Sequence, residues 1–232
     1  MLDARRIPLQ HRTGNGYVFS SHHISDKEAT ETLLGKLEGK PVAEPRLLRF
    51  TTGHRNKLWN RNCVAIGLSA GFFEATALHL VQICIEYFSD TFEKNGFSTK
   101  PCNNYNSFAR ERFDRVRDYI VAHYKLNTRD DSDYWHDNRE NMVMSGSLNS
   151  ILSAWFSRQD LASEIKRQNI GMHWDSVSWH CLLAGYGAFP PLEKNQPGRG
   201  DLYREQNIER FIQGCALNFC DHNVVLNSQT RL

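Results

Sequence analysis

The chain has 232 residues, 40% of them hydrophobic and 23% charged, enough for one sizeable domain with its own core. Its 28 Lys and Arg against 26 Asp and Glu leave a formal net charge of +2, which offers no electrostatic footprint for nucleic acid or an anionic membrane. No apolar h-region follows Met1, and the longest apolar stretch, around residues 75–88, is broken by His79, Gln82 and Glu86. The six cysteines form no C-x-x-C pair. The expectation is a cytoplasmic protein with reduced thiols, without a membrane or nucleic-acid partner.

In chain order, the first third reads as β-rich. Ile7-Pro8-Leu9 and Tyr17-Val18-Phe19 flank Thr13-Gly14-Asn15-Gly16, which suits a tight hairpin turn because Gly and Asn tolerate positive φ. Ser25-Asp26-Lys27-Glu28 is a capping box and predicts a helix to about Leu37, stopping near Gly39 and Pro41. Residues 46–51 and 57–60 read as a second hairpin around Gly53-His54, and Cys63-Val64-Ala65-Ile66 as a short buried strand. From Gly67 onward the pattern is mainly helical. Residues 75–92 predict a buried helix with one polar stripe at His79, Gln82 and Glu86, and residues 108–126 a half-buried one. Shorter helices are predicted over 147–156 and 176–183, a loop at Pro190-Pro191 and 195–200, and a final amphipathic helix over 202–218. The fold class is therefore α+β, a remnant of an antiparallel or mixed sheet in residues 1–66 followed by a mainly helical part, 67–232. A few short strands leave sheet edges unpaired, which predicts a chain that begins inside a domain and is prone to self-association.

The most informative stretch runs from Trp59 through Cys63-Val64-Ala65-Ile66-Gly67-Leu68-Ser69-Ala70-Gly71-Phe72-Phe73-Glu74-Ala75-Thr76. It reads as a strand, a small-residue turn and a helix start, where backbone amides can approach a ligand and a helix dipole favours an anion. The pattern alone is more often that of a purely structural turn. Gly67-Leu68-Ser69-Ala70-Gly71 also spells G-x-S-x-G, the nucleophile elbow of serine hydrolases, with Asp130 or Asp133 and His173 or His222 available downstream.

The whole string resembles the hallmark of the flavin-dependent tryptophan halogenases, in which V-A-I-G-L-S-x-G-F precedes an acidic Glu-Pro-Leu-Glu-Ser-Thr stretch. Further segments match that family in order: Ile7-Pro8-Leu9 to Tyr17, Gly53-His54-Arg55, Ala122-His123-Tyr124 with Arg129-Asp130-Asp131, Ser178-Trp179 and Gly185-Tyr186-Gly187. The resemblance implies the C-terminal portion of a flavin monooxygenase-like fold. It implies an enzyme that uses FAD as FADH2, O2 and chloride or bromide to halogenate tryptophan or another indole. A separate flavin reductase would be a partner. By the same resemblance Gly67, Leu68, Ser69, Ala70 and Gly71 would sit at the flavin, Glu74 would be the catalytic carboxylate, and Thr76 and Ala77 would bind halide.

Three departures stand against this. Phe73 is followed only by Glu74-Ala75-Thr76, so part of the Glu-Pro-Leu-Glu segment is missing, and either family glutamate could correspond to Glu74. Asp3 and Arg5 replace the tryptophans of a W-x-W-x-I-P motif. The G-x-G-x-x-G element and the catalytic lysine of the family's N-terminal half have no counterpart. The chain is therefore expected to lack the FAD-binding half and to be inactive alone, with a non-catalytic remnant or a split-halogenase subunit as the alternative. Weaker signals are read as structural: His22-His23, His173, His180-Cys181 and Cys215/Cys220/His222 fit no zinc spacing, so no metal is expected. Tyr134-Trp135, Trp155-Phe156, Trp174 and Trp179 are candidates to sandwich an indole, or simply core.

Overall fold

The computed structural model describes residues 4–72, 77–95 and 98–190, together with Gln213. The chain divides at Pro190, and the described elements all belong to the unit Met1–Pro190. The loop expected over 195–200 and the final helix expected over 202–218 lie outside the described residues.

Strands β1 (Ala4–Pro8) and β2 (Thr13–Tyr17) form an antiparallel hairpin, with Ile7 opposite Gly14 and Pro8 opposite Thr13. The turn is not at Thr13–Gly16 as the glycines suggested. It lies at Leu9–Arg12, closed by the Leu9 amide donating to the Arg12 carbonyl at 2.8 Å. Pro8 has no N–H to give a ladder, so the ladder ends there, and the glycines pair inside β2 instead. Helix α1 (Asp26–Gly35) begins with the expected capping box: the Glu28 amide donates to Ser25 Oγ, and Glu28 accepts from the Ser25 amide at 2.8 Å. It ends two residues before the predicted Leu37.

The second expected hairpin is absent. Residues 46–50 have no regular structure, and β3 (Gly53–His54) pairs instead with β6 (Gly71–Phe72), while β4 (Trp59–Asn60) pairs with β5 (Cys63–Val64). Among the described residues the sheets are three two-stranded antiparallel ladders. The predicted buried strand at Cys63–Ile66 is this two-residue β5, with Cys63 exposed and Val64 to Ile66 half-buried.

Helices carry the rest. α2 (Ala77–Asn95) buries Leu80 and Cys84 but leaves Leu78 and Ile85 exposed, so the expectation of a helix buried on most faces is corrected to a helix buried on one. α3 (Thr99–Leu126) starts nine residues earlier than predicted and runs 28 residues, about 42 Å at 1.5 Å per residue. It joins two cores. Its first half presents Tyr105, Ala109, Phe113 and Val116 to Leu58, Trp59, Leu80 and Cys84. Its last turns present Ala122 to the second core.

That second core is built by α5 (Gly146–Phe156), α6 (Leu161–Gln168) and α7 (Ser176–Gly185), with α4 (Asp133–Glu140) packed on α3. In α5 the residues Leu148, Ile151, Leu152 and Trp155 recur at the spacing of one helical face, and the first three are buried. α6 and α7 start at aspartates whose carboxylates accept from the first turn: Asp160 from the Ala162 amide at 3.0 Å, Asp175 from the Ser178 amide at 2.8 Å. α6 closes on Asn169 at φ 55°, the left-handed cap that asparagine tolerates.

Candidate functional site

The stretch singled out in the sequence folds as a short 3-10 turn, Gly67–Ser69, entered from Ile66 in an extended conformation. Gly67 sits at φ +64°, where a side chain would be strained. Ser69 Oγ holds the turn from inside, donating to the Ile66 carbonyl at 2.8 Å and accepting from the Ile66 amide at 3.1 Å. Arg55 fixes the exit: its Nε donates to the Ser69 carbonyl at 2.6 Å and its amide to the Ala70 carbonyl at 2.8 Å. The turn feeds strand β6, not a helix. α2 starts only at Ala77, although its Val81 side chain lies alongside Gly67.

The five residues assigned to the flavin by resemblance divide in two. Leu68 and Ser69 are exposed, Leu68 at 75%, and Gly67 is half-buried beside them. Amides that open a helical turn receive no acceptor from within it, so this rim can present N–H groups to a carbonyl or anion. Ala70 and Gly71 face inward. A Cβ on Gly71 would lie 2.8 Å from the Gly53 carbonyl, from His54 Cβ and from Phe113, so this glycine lets β6 close on β3 and α3. Glu74 and Thr76 lie outside the described residues, and Ala77 is the first residue of α2. The hydrolase alternative needs a serine on a strand-to-helix elbow with a histidine at its hydroxyl. Ser69 instead sits before a strand, with its hydroxyl engaged by Ile66.

One residue that organises this region has no motif at all. Asn106, 8% exposed on α3, accepts at Oδ1 from the Leu58 amide at 2.7 Å and the Trp59 amide at 2.8 Å, and donates from Nδ2 to the Trp59 carbonyl at 2.7 Å. It thereby fastens β4, and through its partner β5 the approach to Gly67, to the long helix. Its only sequence signal is a polar residue at a position where α3 is otherwise apolar.

The polar stripe of α2 is on the surface, where Gln82 Nε2 donates to Glu86 at 3.0 Å. His79 meets His173 edge to face, with ring centroids 5.7 Å apart. Burial pushes the His173 imidazole down to about 4, helped by Arg112, His79 and Arg115, so it is neutral at physiological pH. The aromatic candidates pack among themselves. Tyr119 stacks on Trp174 at 4.0 Å and takes Trp179 edge-on at 5.0 Å. Trp135 stacks on Tyr124 at 5.5 Å under the Arg129 guanidinium, and Trp155 donates to the Ala188 carbonyl. Among the described residues no group of three His, Cys, Asp or Glu could hold a metal ion, and Cys215, Cys220 and His222 lie outside them.

Residues 5–197 match the tryptophan halogenase family. The chain belongs to that family. It is 32% identical over 187 residues to the 7-chloro-L-tryptophan 6-halogenase KtzR of Kutzneria sp., covering 78% of this chain and 36% of that protein. The tryptophan 7-halogenase RebH of Lentzea aerocolonigenes is 27% identical over 198 residues, covering 80% and 37%. Among solved structures, BrvH, a flavin-dependent halogenase from Brevundimonas sp., superposes with a TM-score of 0.66 at 36% identity, over 80% of this chain and 37% of that one. The chain thus spans little more than a third of the length of these relatives, and its α+β arrangement is part of the halogenase fold. No helix among the described residues is long and apolar enough to cross a membrane.

Proposed function

We propose that this chain supplies the C-terminal portion of an FADH2-dependent halogenase that transfers chloride- or bromide-derived halogen to tryptophan or another indole. The observation that carries this reading is the ordered match to the family over residues 5–197, in which the Gly67–Ser69 turn presents an exposed backbone rim held by Ser69 and Arg55. Gly67, Leu68 and Ser69 fit a role along a flavin edge. Ala70 and Gly71 contribute by shaping the turn, because both are turned into the protein. Reduced FAD, when bound, supplies the two electrons that activate O2, and a separate flavin reductase would regenerate it. Glu74 would hold or deliver a proton at the substrate ring, and the backbone at Thr76 and Ala77 would receive the halide. A cytoplasmic setting fits the free thiols at Cys63, Cys84, Cys102 and Cys181.

A second, non-catalytic reading is favoured by one specific observation: the short Glu74-Ala75-Thr76 segment, where the family resemblance implies a longer stretch with two glutamates. The test is complementation. The chain is co-expressed with the nucleotide-binding portion of a relative and assayed with a flavin reductase, chloride and tryptophan or indole, with product read by mass spectrometry. A chlorinated product supports the halogenase reading. A reconstituted, FAD-loaded complex that yields no halogenated product from a panel of indoles, while the intact relative does, would establish the non-catalytic one.

A further inference from the structure

Arg112 on α3 is a buried cation without a strong acceptor. It is 8% exposed and makes no ion pair among the described residues, while its neighbours Arg115 and Arg117 take Asp118 and Asp114. Its guanidinium lies over the Phe108 ring at 4.8 Å, and its Nε is buried without an acceptor. The acceptor it does meet is a sulfur: Nη2 donates to Met172 Sδ at 3.0 Å. A thioether is a weak acceptor, and a buried charge without a good partner is costly.

Met172 itself is 78% exposed. It sits on the turn between α6 and α7, where the Ile170 amide donates to the Ile165 carbonyl at 3.3 Å and the His173 amide to the Ile170 carbonyl at 3.4 Å. It lines an open surface groove with Asn169 and Gly171. The carboxylate in that groove, Asp175, is turned to the start of α7, where it accepts from the Ser178 amide at 2.8 Å and the Ser178 hydroxyl at 2.9 Å.

An exposed thioether is open to a peroxide. Hydrogen peroxide passes one oxygen to Sδ: the S–O bond forms as the O–O bond breaks, the sulfur loses two electrons, and water leaves. In a core this change disrupts packing, because it puts a polar oxygen on an apolar side chain. At Met172 it delivers a strong acceptor beside a guanidinium that lacks one. The added atom needs room, and an unbranched side chain with three rotatable bonds, mostly in solvent, gives it by moving outward. The local charge has the sign that favours an oxygen, since Arg112 and Arg115 both act on the adjacent His173 imidazole.

We infer that Met172 is a site of reversible oxidative modification, at which the sulfoxide oxygen accepts a charge-assisted hydrogen bond from Arg112 and fastens the α6–α7 turn to α3. Methionine sulfoxide reductases return the thioether and release the contact. The site does not depend on the proposed function.

The test uses the full chain. It has four methionines, and Met142 is the internal control: it is 79% exposed, as open as Met172, with no hydrogen bond to its sulfur among the described residues. The unaltered chain and Met172→Leu are treated with hydrogen peroxide until peptide mass spectrometry shows the exposed methionines as sulfoxides. The exposed thiols of Cys63 and Cys181 are then re-reduced with dithiothreitol, and Tm is measured. Relative to Met172→Leu, oxidation should raise the Tm of the unaltered chain by roughly 2–4 °C, the scale of one added charge-assisted hydrogen bond in a domain of this size. Reductase treatment should reverse the rise. Met172→Gln, whose amide oxygen stands in for the sulfoxide without any oxidant, should melt above Met172→Leu, and Arg112→Gln should abolish that difference. Equal shifts on oxidation in the unaltered chain and Met172→Leu would overturn the inference, as would a fall in Tm specific to oxidised Met172. So would a Met172→Gln that melts no higher than Met172→Leu, a comparison that stands even if Arg112→Gln does not fold. A Met172 that stays reduced while Met142 is fully oxidised would also end it.

Discussion

Replacing Asn106 with leucine should remove a large part of the protein's stability. The side chains are similar in volume, so the effect is polar. The native amide satisfies three backbone groups, the N–H of Leu58, the N–H of Trp59 and the C=O of Trp59, at 2.7–2.8 Å. Leu58 and Trp59 are each 1% exposed, so water cannot take over. A buried backbone group stripped of its partner costs about 1–3 kcal/mol, and three that share one side chain do not add fully, which puts the loss at roughly 3–5 kcal/mol. That is a large part of the ~5–15 kcal/mol that holds a typical domain together. The control is Asn104→Leu, two residues away on the exposed face of the same helix, which should change stability by less than about 0.5 kcal/mol. Urea denaturation of the three proteins, followed by tryptophan fluorescence, measures the difference. A loss below about 1 kcal/mol for N106L would show that β4 is held to α3 by packing alone and that the amide is dispensable.

Gly71→Ala should destabilise by about 1–3 kcal/mol, because its Cβ would sit 2.8 Å from the Gly53 carbonyl, which is backbone and cannot rotate away; a neutral result in the same denaturation assay would mean that β3 and β6 can part without cost. His173 has a folded-state value near 4 against an ordinary 6.5, so the unfolded chain binds its proton first as pH falls. Its contribution to stability is complete above about pH 6.5 and is lost as pH drops toward 4, and His173→Phe should flatten that part of the stability–pH curve relative to the unaltered protein. Equal slopes for the two proteins between those limits would remove the assignment. In the complemented enzyme, Glu74→Gln should lower kcat by roughly a hundredfold or more with little change in KM, if Glu74 acts on the reacting atoms in the transition state. An unchanged kcat would end its catalytic assignment.

The sequence by itself determined what depends on neighbours along the chain. The capping box at Ser25 and Glu28, the one-faced spacing of Leu148, Ile151 and Leu152, and the start of α7 after Asp175 were all legible because helix periodicity and capping are local. α4 and α6 were not predicted: each is a helix of only eight residues, too short for its periodicity to stand out along the chain. The motif around Gly67 also pointed correctly to the family, since ordered motifs need no geometry to be read. Strand partners were another matter. Gly53-His54 pairs with Gly71-Phe72, across β4 and β5, and the glycines at 14 and 16 pair within a strand, because ladder registry is set by the whole sheet and by Pro8 breaking it. Nothing local told that Gly67 would lead into a strand, or that Asn106, about fifty residues downstream of Leu58, would supply its missing hydrogen bonds. The side chains of Arg115, Trp174 and Trp179 come together from two segments about sixty residues apart. Only the tertiary structure could bring them together, with Tyr119 of α3 stacked on Trp174 and edge-on to Trp179, because burial of apolar rings acts between residues at any separation along the chain.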